Sequence, residues 1–243
     1  MFRLAHDRGI ARLTLDRPEA RNAIPKAGWT ELADRLAETA TSDAQLLILE
    51  GAGTAFCAGA DLGDFPAMQR NPPACADFRS AMRAALDALR DLPIPTIAHV
   101  DGACYGAGVA LAIACDLRVA DRGARFATTP AKIGVGYPQE DVHRLVALVG
   151  PGRAARLLFT AQSLDGAEAA EIGLVEYYEP DGGIEGLAEA ILGNARESLI
   201  ELKRAIRLAA EGCRSDPGQD LRFDALLGGE EVAQRLEALR RSG

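Results

Sequence analysis

The chain has 243 residues, 48% hydrophobic and 26% charged, which is enough apolar chain for one large domain or a domain with a small appendage and excludes disordered and fibrous classes. Its formal charge is −8, with 27 basic residues dispersed along the chain, so it lacks the basic stripe that counterion release at a nucleic-acid surface requires. A start charged from Arg3 leaves no room for a secretory signal, the longest uncharged stretch, 102–115, is well short of the roughly 20 apolar residues of a membrane span, and five cysteines without a C-x-x-C pair point to a reducing cytoplasm and no structural metal.

Residues 10–15 alternate, with Ala11, Leu13 and Leu15 on one face, then stop at Asp16-Arg17-Pro18: a strand and a turn. From Pro25 the stripe Trp29, Leu32, Ala33, Leu36 and Ala40 predicts a helix with proline in its first turn. Residues 46–49 read as a strand buried on both faces. Residues 75–92 repeat the helical period and end at Pro93-Ile94-Pro95. A strand over 96–100, a short buried helix over 109–115 and a strand over 117–120 follow. Beyond Pro138 the pattern is mainly helical, over 140–148, 151–159, 165–172, 184–196, 198–211 and 230–240, with one short strand near 175–178. The break near 150 separates an α/β core (1–150) from a helical C-terminal region (151–243), with no low-complexity linker between them.

Two strand–loop–helix junctions resemble each other. The first runs from Leu46-Leu47-Ile48-Leu49 to Phe56-Cys57-Ala58-Gly59-Ala60-Asp61-Leu62, and the second from Ile97-Ala98-His99-Val100 to Tyr105-Gly106-Ala107-Gly108. Each leaves a strand through residues with almost no side chain, which exposes backbone N–H groups, and in the second a helix dipole adds to them. Gly-rich turns are more often packing solutions than binding sites. Leu111 stands where the third small residue of the dinucleotide fingerprint belongs, and no G-x-x-x-x-G-K-[ST] occurs, so neither phosphate loop is supported. What remains is two N–H donors able to converge on one carbonyl oxygen, the geometry that stabilises an enolate or a tetrahedral oxyanion.

Together with Leu13-Thr14-Leu15-Asp16-Arg17-Pro18, Cys115-Asp116-Leu117-Arg118 and Gly173-Leu174-Val175, these junctions resemble the successive signatures of the enoyl-CoA hydratase/isomerase (crotonase) superfamily, over roughly residues 10–210. The resemblance implies a crotonase-like spiral of ββα repeats, with C-terminal helices that drive assembly as a homotrimer or dimer of trimers and cover the active site. It implies an acyl-CoA thioester as partner, with coenzyme A as part of the substrate and no other cofactor. Ala60 and Ala107 would then donate the two N–H groups. Ala58, Asp61 and Leu62 would line the adenine and pantetheine path, with the loop 17–23 near the nucleotide end, Arg21 facing a phosphate and Ala23 beside it. Gly108, Ala110, Pro130 and Ile133 would line the acyl pocket.

Hydratases of this superfamily move protons with two glutamates, whose positions fall here on Ala110 and Pro130. Neither can transfer a proton, so ordinary hydratase activity is not expected. Tyr137 is the polar group expected to face the acyl carbon. In some decarboxylases of the superfamily a tyrosine at this place orients a carboxylate, although those enzymes carry histidine at the position of Ala60. Among Glu140, Asp141 and His143, Asp141 is the candidate acid or base; the alternative is an acidic first helical turn. The readings are therefore a divergent enolate-stabilising family enzyme, a decarboxylase or lyase using Tyr137, and a non-catalytic acyl-CoA-binding homologue. His6 is expected in solvent, His99 as a satisfied core residue, and Cys57 and Cys104 as inert core thiols. Phe223, Leu226, Leu227, Val232, Leu236 and Leu239 form a stripe that suits either a core or a subunit contact.

Overall fold

A computed structural model describes residues 1–242. The edge strands β1 (Phe2–Asp7) and β2 (Ile10–Leu15) lead into helix α1 (Lys26–Ala40). Three strand–strand–helix units follow. The first is β3 (Leu46–Gly51), β4 (Ala55–Cys57) and, after the short α2 (Phe65–Met68), α3 (Pro72–Asp91). The second is β5 (Thr96–Val100), β6 (Ala103–Tyr105) and α4 (Ala107–Ala114), and the third is β7 (Leu117–Ala120), β8 (Arg125–Ala127) and α5 (Gln139–Val149). The chain continues through α6 (Pro151–Thr160), β9 (Leu164–Asp165), α7 (Gly166–Glu171), β10 (Tyr177–Tyr178), α8 (Ile184–Leu192), α9 (Arg196–Ala210), α10 (Pro217–Leu227) and α11 (Glu230–Ser242). The first strand of each unit joins one sheet, in the order β1-β2-β3-β5-β7-β10, and the second joins a smaller sheet, β4-β6-β8-β9. This is the expected spiral of ββα turns.

Side chains alternate across a strand, so each central strand feeds two clusters. Leu47, Leu49, Ala98 and Val100 point into the main core with Trp29, Leu32 and Leu36 of α1 and Leu86 and Leu89 of α3. Leu46, Ile48, Ile97 and Val119 point the other way, where Ile184 and Ala188 of α8 cover them. Burial on both faces explains why the central strand β3 reads as a continuous apolar run.

The structure corrects several element boundaries. Strand β1 was not expected, because only Phe2 is fully buried while Arg3, His6 and Asp7 face solvent. The short strands of the smaller sheet are too brief for periodicity to register. The helix expected over 184–196 stops at Leu192, where Asn194 donates its side-chain amide back to the Ala190 carbonyl at 2.8 Å. Helix α10 was also missed, although Asp216 caps it by accepting from the Gln219 N–H at 2.7 Å and Pro217 opens it. Beyond Gly150, β9 and β10 complete the edges of both sheets, and Lys203 of α9 is buried, with its Nζ 2.9 Å from the Ile94 carbonyl and 2.7 Å from Asp116. Of the C-terminal stripe, Phe223 and Leu227 are each 61% exposed, whereas Leu226 and Val232 are half-buried. Among the described residues no helix is long and apolar enough to cross a membrane.

Candidate active site

Strands β4 and β6 pair in parallel, Ala55 opposite Ala103 and Cys57 opposite Cys104, so the two junctions leave the smaller sheet side by side. Their loops touch. A Cβ on Gly59 would lie 2.7 Å from the Tyr105 carbonyl oxygen and 3.2 Å from the Ala107 nitrogen, and Gly59 has φ +105, a conformation that side-chain-bearing residues rarely adopt. The neighbouring backbone is paired on both sides of Ala60: the Ile24 N–H donates to the Gly59 carbonyl at 2.8 Å and the Asp61 N–H to the Ile24 carbonyl at 2.9 Å. The Ala60 N–H itself donates to nothing among the described residues. Ala107 opens the buried helix α4, where the first N–H groups have no partner within the helix, and no side chain caps it.

Both alanines line one cavity of about 820 Å³, within the range of small-molecule sites. Of the residues singled out from sequence, the structure brings Ala58, Ala60, Leu62, Ala107, Ala110, Pro130, Ile133, Tyr137 and Asp141 together on its wall. Phe65 and Met68 of α2 and Phe78 and Met82 of α3 make the rest mainly apolar, and Arg79 and Lys132 are its cations. Ala110 and Pro130 bring no ionisable group to this wall.

Four of the expected residues lie elsewhere. Gly108 is buried behind the wall, packed on the Cys57 carbonyl. Arg21 is exposed at the end of a short turn, with a left-handed φ of 50. Ala23 is half-buried, and its carbonyl accepts from Arg17 Nη1 at 3.1 Å. Asp61 faces Arg17, Oδ2 to Nη1 at 2.5 Å, and accepts from the Gly63 N–H at 2.9 Å. The Arg17 hydrogen bond, then the Gly63 N–H, hold the Asp61 carboxyl below its ordinary value. Arg17 thus ties the first junction to the loop 17–23. Asn22 does the same from inside the fold, donating to the Ala52 and Ala55 carbonyls at 2.9 and 2.7 Å.

The polar end of the cavity is built by α5 and α3. Asp141 has no exposed surface. Its Oδ1 lies 3.4 Å from Arg144 Nη1 and 3.6 Å from Arg83 Nη1, while its Oδ2 has no hydrogen-bond partner. Burial pushes the Asp141 carboxyl above the usual carboxylate range, against the pull of Arg83 and Arg144 and with a push from Glu140 and Asp87. An unpaired buried acceptor costs about 1–3 kcal/mol, and such groups concentrate where function uses them. Tyr137 is partly buried, and its hydroxyl donates to the Gly106 carbonyl at 2.9 Å. Burial first, then the charge of Asp141, raise its phenol well above the ordinary value, so it stays protonated.

His143 is exposed and absent from the wall, and Glu140 is exposed. His99 is satisfied by Asp121 at 3.1 Å. Burial pushes the Cys57 thiol up to about 12 and Cys104 well above its usual value, so both are inert at neutral pH. Sequence reasoning placed Arg17 and Asn22 only within the loop 17–23, without a role for either side chain, and missed Arg83 and Arg144. For Asn22 the signal was residue type, since asparagine tolerates the left-handed region it occupies at φ 58. For Arg83 there was only its place beside the buried Met82.

A family model described as enoyl-CoA hydratase/isomerase matches residues 5–221. The chain is 30% identical over 249 residues to the enoyl-CoA isomerase/hydratase fer4 of Mycosarcoma maydis, covering 96% of this chain and 90% of that protein. Among solved structures, an enoyl-CoA hydratase/isomerase family protein from Hyphomonas neptunium superposes with a TM-score of 0.93 at 33% identity, over 99% of this chain and 95% of that one. The enoyl-CoA hydratase of Bacillus anthracis superposes with a TM-score of 0.90 at 26% identity, over 99% and 96% of the two chains.

Proposed function

The chain belongs to the enoyl-CoA hydratase/isomerase family, and from that premise we propose that it binds an acyl-CoA thioester, stabilises its enolate with the Ala60 and Ala107 N–H groups, and moves a proton with Asp141. The observation that carries this reading is one cavity wall holding two unpaired amides and, among the described residues, a single carboxylate. In the proposed reaction the Asp141 carboxylate removes a proton from the carbon next to the double bond of an enoyl thioester. The electron pair moves onto the thioester oxygen, which accepts from the two amides. The same proton returns to the far carbon, so the double bond shifts and nothing is gained or lost. One carboxylate suffices for this isomerisation, whereas hydration by relatives takes two.

The Tyr137 hydroxyl already donates its hydrogen bond to the Gly106 carbonyl, which counts against the decarboxylase reading in which that hydroxyl orients a carboxylate. The binding-protein reading rests on the absence of carboxylates at Ala110 and Pro130. Exchange of the α-hydrogens of an acyl-CoA with deuterium oxide separates it from the enzyme reading, because a binding protein exchanges none.

Asp141→Asn is expected to lower that exchange about 10²–10⁴-fold and to abolish the acid limb of its pH profile, which in the native protein falls above the usual carboxylate range. Its effect on stability has the opposite sign. A carboxyl whose folded-state pKa is raised contributes stability below its unfolded value and loses it as pH rises through the folded one. At neutral pH the asparagine variant is therefore expected to melt no lower than the native chain. Retained exchange in Asp141→Asn would remove the carboxylate from the mechanism. We also assign self-association, as a homotrimer or dimer of trimers, to the exposed apolar residues of α9 and α10, with Leu202 at 58% and Ile206 at 69% exposure beside Phe223 and Leu227. Sedimentation at micromolar concentration tests it, and a monomer there sinks it.

A further inference from the structure

The Tyr137 hydroxyl and the Ala107 N–H meet in one peptide unit. The carbonyl that accepts from Tyr137 at 2.9 Å is that of Gly106, and the nitrogen of the same planar group is that of Ala107. The unit is trans, so its C=O and N–H point in opposite directions, and whatever fixes one fixes the other. The Gly106 N–H is fixed to the Ala127 carbonyl at 2.9 Å, so what remains to be set is the rotation of the peptide that follows. Gly106 sits at φ 51 and ψ −116, a region where glycine has no Cβ to confine it. The Val109 and Ala110 N–H groups reach the same oxygen at 3.0 and 3.3 Å, but both belong to the helix that follows. Tyr137 approaches from outside it, across 31 residues of chain.

We infer that Tyr137 is a positioning residue for the second amide donor: by holding the Gly106 carbonyl it sets the direction of the Ala107 N–H and polarises that peptide into a stronger donor. The inference rests on the reading of Ala107 as a donor to the thioester oxygen. Hydrogen bonds in series strengthen one another, so the third lone-pair contact on the Gly106 oxygen reaches the reacting group without touching it. Tyr137 then carries no proton in the reaction. Its phenol is held protonated by burial and by the neighbouring Asp141, which keeps it a donor across the working pH range.

The probe is hexanoyl-CoA isotopically labelled at its carbonyl carbon. Difference infrared spectroscopy reads the polarisation of the bound thioester carbonyl, and deuterium exchange at its α-carbon reads enolate formation. Native protein is expected to move the carbonyl band to lower frequency. In Tyr137→Phe that displacement is expected to shrink by about half and exchange to slow roughly 5- to 20-fold. The dissociation constant should change less than about three-fold, since the effect lies in the enolate and not in binding. The pH profile should keep its shape, because the residue does not titrate in it.

An unchanged carbonyl band in Tyr137→Phe overturns the inference, as does a variant that loses only affinity or melting temperature. A native band that does not move on binding overturns the two-amide reading itself, which separates the two failures. Should Tyr137→Phe fold poorly, 3-fluorotyrosine placed at position 137 gives a more acidic donor of nearly the same shape. The displacement is then expected to grow, and a displacement equal to the native one overturns the inference.

Discussion

The two junctions bring Ala60 and Ala107 to the same cavity by different means. The second is locked from within: Ala107 begins a helix whose other seven residues are all buried, and its preceding carbonyl is held by Tyr137. The first is tied at its rim as well as from within: besides the buried Asn22, which donates to the Ala52 and Ala55 carbonyls, an isolated bridge to Ile24 and the pair between Arg17 and Asp61 fix the turn around Ala60, with the Arg17 and Asp61 side chains 32% and 23% exposed. Buried packing is insensitive to salt and pH, whereas a rim ion pair responds to both. Ala60 and Ala107 are both half-buried, but the helix that follows Ala107 is core while the turn around Ala60 is tied partly at its rim, and substitutions should separate the two by size of effect.

The largest effect is expected at the locked donor. Ala107→Pro deletes the N–H at a first helical position, where proline's fixed φ is tolerated. Exchange at the acyl α-carbon is expected to fall about 10²–10³-fold, while the chain melts near the native temperature. A proline variant that exchanges normally would remove the Ala107 N–H from the proposed reaction. Next comes the contact between the junctions. Gly59→Ala places a Cβ 2.7 Å from the Tyr105 carbonyl and strains a φ of +105, at a cost on the order of 1–3 kcal/mol. Urea unfolding measures it. A change below about 0.5 kcal/mol, the ordinary surface range, would mean that the loops are not in contact.

How much of this was legible in the sequence follows from which groups leave a mark there. Residues 46–49 were readable because a parallel strand buried on both faces is a continuous apolar run, and 96–100 and 117–120 because they are mostly apolar, with Thr96, His99 and Arg118 the polar exceptions. The three-residue strands β4, β6 and β8 were not, and they are the ones that set Cys57 beside Cys104 and so align the junctions. Helix α10 hid for the opposite reason: Leu221, Phe223 and Leu227 are all exposed, so its apolar residues trace no core-facing stripe within this chain. At the site, a backbone donor has no side chain to advertise it, and Ala60 and Ala107 were found only through the resemblance of whole motifs. Asp141 was visible as an acid in the first turn of a helix. Its burial was not, because the shielding comes from distant residues such as Arg83.

The smallest effect is expected at the rim, and its direction with pH distinguishes it from the others. Arg17 holds the Asp61 carboxyl below its ordinary value. A group depressed in this way contributes stability above its unfolded pKa and loses it as pH falls through the folded one. Arg17→Ala should therefore cost about 0.2–1 kcal/mol at neutral pH, and the deficit should close in acid below the usual carboxylate range and shrink in molar salt. Exchange at the acyl α-carbon should slow no more than about three-fold, because an exposed pair of that strength cannot hold the Ala60 amide further off line. Urea titrations at neutral and acidic pH give the first number, and the exchange assay gives the second. A deficit that persists in acid would mean that Arg17 acts through its 3.1 Å bond to the Ala23 carbonyl rather than through Asp61.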